Sequence, residues 1–154
     1  MALSVIIFFY AGIGLLAAAG SIFISQKLFS AIGQQIFFAL FFIAIAGFYL
    51  AFTAYFRDQA AWRLEIGAVI LFAVLGVFGL RFPIVLIIGY SVHGIWDMVH
   101  EIASHCGASP FGAHELTDLP LAYGVFCAAF DYCVAGYFYT RRREWNAAWK
   151  ARAR

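Results

Sequence analysis

Apolar residues run in long blocks along this chain, and short polar breaks divide them. A membrane-spanning helix needs about 20 mostly apolar residues, and the first block, Leu3 to Ile24 (LSVIIFFYAGIGLLAAAGSIFI), has that length. No basic stretch precedes it and its apolar run exceeds the short core of a signal peptide, so it reads as a retained helix. The break SQKLFSAIGQQ separates it from a second span, Ile36 to Tyr55. FRDQAAWRLE leads into a third, Ile66 to Leu80, which reaches spanning length once Ala60 to Leu64 are included, with Trp62 as an interfacial anchor. Arg81, Phe82 and Pro83 punctuate its end. Proline is tolerated in a helix's first turn, so a fourth span starts there and runs to Ser104.

The stretch HCGASPFGAHELTDLP, with its glycines and prolines, reads as a loop. A fifth span covers Leu121 to Tyr139, and the tail TRRREWNAAWKARAR closes the chain. The pattern predicts an all-α polytopic membrane protein of about five transmembrane helices. Residues 1–140 form a single transmembrane domain, followed by a basic, Trp-containing interfacial tail over 141–154. The small residues of GIGLLAAAG in the first span suit helix packing rather than a nucleotide loop.

Composition strengthens the membrane reading. Of 154 residues, 65% are hydrophobic and 12% charged, against about 25% charged in soluble domains. The net charge of +2 is too small to indicate a nucleic-acid partner. Its placement is more informative, because Lys and Arg near helix ends set orientation. With the tail in the cytoplasm, that side holds Lys27, Arg81, Arg141, Arg142, Arg143, Lys150, Arg152 and Arg154, leaving only Arg57 and Arg63 outside. The N-terminus is therefore expected outside and the C-terminus inside, in a bacterial inner membrane. Trp145 and Trp149, four apart among basic residues, suit a short helix lying on the membrane surface. Of the cysteines, Cys127 and Cys133 sit in an apolar segment, where cysteine is most often a small hydrophobe.

The candidate chemistry lies in HGIWDMVHE, His93 to Glu101. At about 100° per residue, His93, Asp97, His100 and Ser104 share one stripe of the fourth span, flanked by Tyr90 and Glu101. Asp131, Cys127 and Tyr123 recur every four residues on the fifth. If these spans are antiparallel neighbours, His93 and Asp131 meet near mid-membrane, giving a polar His/Asp pocket between them. Glu65 on the third span and His105, His114, Glu115 and Asp118 in the loop lie toward its mouth. Ionisable groups within spans are functional candidates by default.

Three readings of the cluster stay open. His93, Asp97, His100, Glu101 and Asp131 could ligate a divalent metal, with zinc, iron or manganese suited to imidazole and carboxylate; no HExxH or paired ExxH motif supports it. His93, Asp97, His100 and Asp131 could instead be catalytic acid/base groups without a metal. Or His93, Asp97 and Asp131 hydrogen-bond across helices and only hold the bundle together. The first two imply a small membrane enzyme acting on a lipophilic molecule. The last suits an accessory subunit of a larger membrane complex, or a homo-oligomer, with no chemistry of its own.

HGIWDMVHE and the later CAAFD (Cys127 to Asp131) resemble an uncharacterised family of small bacterial integral-membrane proteins. Its pattern is HGxWDxxH followed by a Cys-containing, aspartate-bearing last span. The resemblance covers roughly the last two spans and implies a shared site at His93, Gly94, Trp96, Asp97, His100, Cys127 and Asp131, without specifying its chemistry.

Overall fold

The computed structural model describes the backbone of residues 2–57, 59–105 and 119–153; the side chains of 2, 3, 52, 56, 59–61, 101–105 and 119–122 lie outside the description. Every described element is a helix: α1 (Ala2–Leu28), α2 (Ala31–Ala46), α3 (Phe48–Phe56), α4 (Gln59–Gly79), α5 (Pro83–His105) and α6 (Leu119–Arg152). Three stretches are long and apolar enough to cross a membrane: Ser4–Leu28, Ala31–Tyr55 and Trp62–Gly79. The second of these passes through Gly47, which separates α2 from α3.

The second span therefore departs from the expected Ile36–Tyr55 at both its start and its middle. Ser30 caps α2, its hydroxyl accepting from the Gly33 amide at 3.3 Å, and the polar Gln34 and Gln35 lie inside the helix. Both are buried because other elements satisfy them. Gln35 Nε2 donates to the Gly79 carbonyl at 2.7 Å, and Gln35 Oε1 accepts from Trp149 Nε1 at 3.0 Å. Gln34 Oε1 accepts from the Tyr137 hydroxyl at 2.5 Å. At Gly47 the helical ladder tightens to a bond from its amide to the Ala44 carbonyl, 3.1 Å. Such glycines are a known cause of helix breaks.

The last helix does not stop at Tyr139. With no glycine or proline after Gly136, α6 runs on to Arg152, supported by the Arg141–Glu144 pair. Trp145 is fully buried, its ring 3.8 Å from that of Phe138 at 79°. The expected separate surface helix at Trp145 and Trp149 is thus the final turns of α6, and both indoles pack inward.

α6 lies between α1 and α5, α4 bridges α2 and α5, and α3 packs on α4. Close backbone approach sets these contacts. A Cβ on Gly14 of α1 would fall 2.3 Å from the Phe126 carbonyl oxygen of α6. One on Gly94 of α5 would sit 3.4 Å from Asp131 Cβ. The core is aromatic, with Phe38, Phe42, Phe72, Tyr90, Phe130, Phe138 and Trp145 buried together.

Helix α5 shows the logic of the whole chain. Its buried stripe is Leu86, Tyr90, His93, Asp97 and His100; its exposed stripe is Ile84, Ile88, Val92, Ile95 and Val99. The ionisable groups face in and the aliphatic ones face out, the reverse of a helix in a water-soluble domain.

Gly14→Ala is expected to destabilise the α1–α6 contact by about 1–3 kcal/mol, as overpacking does. Gly12→Ala, where a Cβ meets nothing within 4 Å, should leave stability unchanged. Thermal melts of the two variants in detergent check the contrast.

Candidate functional site: a buried His/Asp centre

The i, i+4 spacing of His93 and Asp97 on α5 places both on the stripe facing α6, and Gly94 lets α6 come close enough for Asp131 to reach them. His93 Nδ1 lies 2.7 Å from Asp131 Oδ2 and 3.1 Å from Asp97 Oδ2. One imidazole nitrogen is therefore shared by two carboxylates, and all three side chains are buried. Edge-on contacts with Phe72 (4.8 Å, 67°) and Phe42 (5.7 Å, 70°) hold the His93 ring. Below it, Tyr90 donates to the Phe38 carbonyl at 2.8 Å and closes the apolar floor.

His100 does not join this group. Its Nε2 lies 3.0 Å from Glu65 Oε1 on α4, and Glu65 is fully buried. The His100 ring lies against Tyr49 (4.6 Å, 32°) and meets the edge of Trp96 (4.9 Å, 85°). The centre thus has two lobes: an inner one of His93, Asp97 and Asp131, and an outer one of Glu65, His100 and Trp96.

Tyr49 joins them. Its hydroxyl donates to Asp97 Oδ1 at 2.8 Å while its ring covers His100. That leaves Asp97 Oδ2 for His93. Sequence reasoning passed over Tyr49, although Tyr49 and Thr53, four apart in the apolar FYLAFTAYF of α3, are a faint inward-facing signal. Thr53 is buried and bonds back to the Tyr49 carbonyl at 3.0 Å. Trp96 packs against the core beside Phe72 and borders the outer lobe.

His93, Asp97 and Asp131 each offer a ligand atom, all within 4.8 Å of one another, and so could hold a metal ion. Glu65 lies where the third span was expected to deliver it. Glu101, Ser104 and His105 have side chains outside the described residues, as do His114, Glu115 and Asp118 of the loop.

Four buried polar atoms of the centre have neither hydrogen-bond nor ion-pair partners among the described residues. They are His93 Nε2 and Asp131 Oδ1 in the inner lobe, and Glu65 Oε2 and Trp96 Nε1 in the outer. Buried polar groups are nearly always satisfied, so unpartnered atoms in both lobes set the centre apart from the rest of the core.

Comparison of the chain with protein-family models, with curated proteins and with solved structures gives no match. The chemistry of the centre must be argued from its residues.

Tyr49→Phe removes one donor and leaves Asp97 Oδ1 buried without it. The expected loss of stability is about 1–3 kcal/mol, read from denaturation of the detergent-solubilised protein, with helicity retained in its circular dichroism spectrum.

Proposed function

We propose that the chain is a small integral-membrane enzyme that acts on an apolar substrate at a divalent cation held by His93, Asp97 and Asp131. The observation that carries this is the pairing of two carboxylates with one imidazole in a fully buried position. A protonated His93 with two ionised aspartates leaves one negative charge uncompensated, and an unpaired buried charge costs several kcal/mol. A divalent cation with neutral His93 and both aspartates sums to zero. Monovalent or trivalent ions do not balance the same set.

Zinc, iron and manganese suit this donor set, and the three protein ligands leave positions for substrate. Bound there, the cation supplies Lewis-acid polarisation of a substrate oxygen. The chain's own groups do the rest. Tyr49 holds Asp97 in orientation, Phe42 and Phe72 fix the His93 ring and exclude water, and the Glu65–His100 pair offers a proton carrier three residues along α5. The site resemblance carried by HGIWDMVHE and Asp131 belongs to the same reading.

The membrane setting follows from the apolar exterior. Side chains such as Phe8, Leu16, Phe23, Ile70 and Tyr55 stand more than half exposed, which lipid accommodates and water does not. In this reading α5 and α6 complete a five-span bundle in a bacterial inner membrane, with the basic C-terminal end of α6 in the cytoplasm. The same exterior also favours a second reading, an accessory subunit packed against other membrane proteins. That role leaves the buried carboxylates without a task. Native mass spectrometry from gentle detergent separates the two, since an autonomous enzyme migrates alone or as a homo-oligomer.

Elemental analysis of the purified protein is expected to find about one divalent metal per chain. His93→Ala and Asp97→Ala should each lose it, along with any activity, while remaining helical and membrane-inserted. Wild type that folds and stays metal-free through purification in metal-replete medium would count against the cation.

A further inference from the structure

The end of the bundle where α2 begins and α6 finishes carries charge that the fold does not balance. The segments that meet there, 26–37, 77–86 and 137–154, hold eight Lys and Arg residues against one acid, Glu144. Arg141 takes that acid, at 2.8 Å. Two of the other cations are brought together by a buried amide. Gln35, 0% exposed, donates to the Gly79 carbonyl at 2.7 Å and accepts from Trp149 Nε1 at 3.0 Å. It thereby ties the turn after α4 to the last turns of α6. Arg81, two residues past Gly79, then lies 4.8 Å over the Trp149 ring, and Arg152 lies 5.9 Å from the centroid of the same ring. Two guanidinium groups from different elements thus converge on one fixed indole. Neither is paired with a carboxylate among the described residues.

The surroundings say what kind of anion belongs there. Arg81 also lies 5.5 Å over the Phe82 ring, which is 48% exposed, and Phe78 nearby is 56% exposed. The guanidinium pair therefore stands at the rim of the apolar exterior, where indole and basic side chains meet lipid headgroups.

We propose that Arg81 and Arg152, on either side of the contact made by Trp149, bind the phosphate of an anionic phospholipid in the leaflet that this end of the bundle meets. Arginine suits the task because its planar fork bonds phosphate in pairs while it stacks on an aromatic ring. A lipid also uses the rest of the surface, since its acyl chains cover Phe78 and Phe82 while its phosphate meets the arginines. A free phosphate leaves that apolar rim bare. A zwitterionic lipid carries an ammonium that the same cations repel. Gln35 is the positioning residue of the site: it touches no lipid and acts by holding Trp149 and the end of α4 in register. The proposal uses only the membrane setting of the chain and is independent of the chemistry at His93, Asp97 and Asp131.

Native mass spectrometry of the full-length protein, released from detergent, tests this. Phosphatidylglycerol and phosphatidylcholine of identical acyl chains are supplied in equal amounts. Phosphatidylglycerol is expected to be retained about 25-fold over phosphatidylcholine at low salt, the size expected for two arginines beside an anionic headgroup. The preference should fall as ionic strength rises. Arg81→Gln and Arg152→Gln should each lower it about fivefold, and together they should abolish it. Arg63→Gln, near the opposite end of α4, should leave the preference at its wild-type value. Equal retention of the two lipids by wild type would overturn the proposal, as would a folded double variant that keeps the wild-type preference. An equal fall in Arg63→Gln would show a diffuse charge effect in place of a site. Inorganic phosphate that displaces the lipid at equal concentration would make the pair a free-anion site and would also overturn it.

Discussion

Two carboxylates share one imidazole nitrogen at the centre of this bundle, and the arrangement around them follows from that constraint. Asp97 and Asp131 both reach His93 Nδ1, and in a low-dielectric interior carboxylates this close require a counter-charge or a proton kept on one of them. The helices meet the geometric demand with small residues and the orientational one with aromatic residues. Gly94 lets α6 approach α5 so that Asp131 comes within 2.7 Å. Phe42 and Phe72 hold the imidazole edge-on. Tyr49, from a helix that begins anew after Gly47, takes one oxygen of Asp97 and so turns the other toward His93.

The two ends of the bundle are built differently, and the difference fits where the chemistry lies. At the end where α2 begins and α6 finishes, polar side chains are paired with one another. Gln35 ties the C-terminal carbonyl of α4 to the Trp149 indole, the Arg81 guanidinium lies 4.8 Å over the Trp149 ring, and Tyr137 gathers Gln26, Gln34 and Arg141. That end is a clamp on four of the six helices, α1, α2, α4 and α6. Toward the other end lie Glu65 and Trp96, each with one buried polar atom that has no partner among the described residues.

Much of this was legible in the sequence, for definable reasons. The all-helical class and the inward stripe of His93, Asp97 and His100 follow from block length and the 3.6-residue period, which survive any packing detail. The meeting of His93 with Asp131 followed from treating neighbouring spans as antiparallel and counting depth. What hydropathy could not show were partners. Gln34 and Gln35 read as a loop because most of what satisfies them is distant: apart from the Phe29 carbonyl, their partners are more than 40 residues away at Gly79, Tyr137 and Trp149. Trp145 and Trp149 read as interfacial because indole beside arginine usually is, whereas here the clamp at the helix end draws both inward. The split of His100 from His93 was likewise hidden, since both stand on one stripe and only the position of Glu65 on α4 decides which neighbour His100 takes.

The same partner accounting bears on whether the polar centre exists merely to bind the helices together. An interhelical hydrogen bond inside a membrane protein contributes on the order of 0.6 kcal/mol, while each buried polar atom left unmet costs about 1–3 kcal/mol. The centre makes its contacts through Tyr49–Asp97, His93–Asp97, His93–Asp131 and His100–Glu65. Among the described residues it also leaves His93 Nε2, Asp131 Oδ1, Glu65 Oε2 and Trp96 Nε1 unmet. Among the described residues those unmet atoms weigh against the cluster as glue, which leucine and phenylalanine packing supplies without them. At the opposite end the glue is made mainly of amide and phenol groups, Gln26, Gln34, Gln35 and Tyr137, bonded to one another, to backbone carbonyls and to Arg141 and Trp149. His93, Asp131 and Glu65 differ from these in that each keeps one buried polar atom without a partner among the described residues.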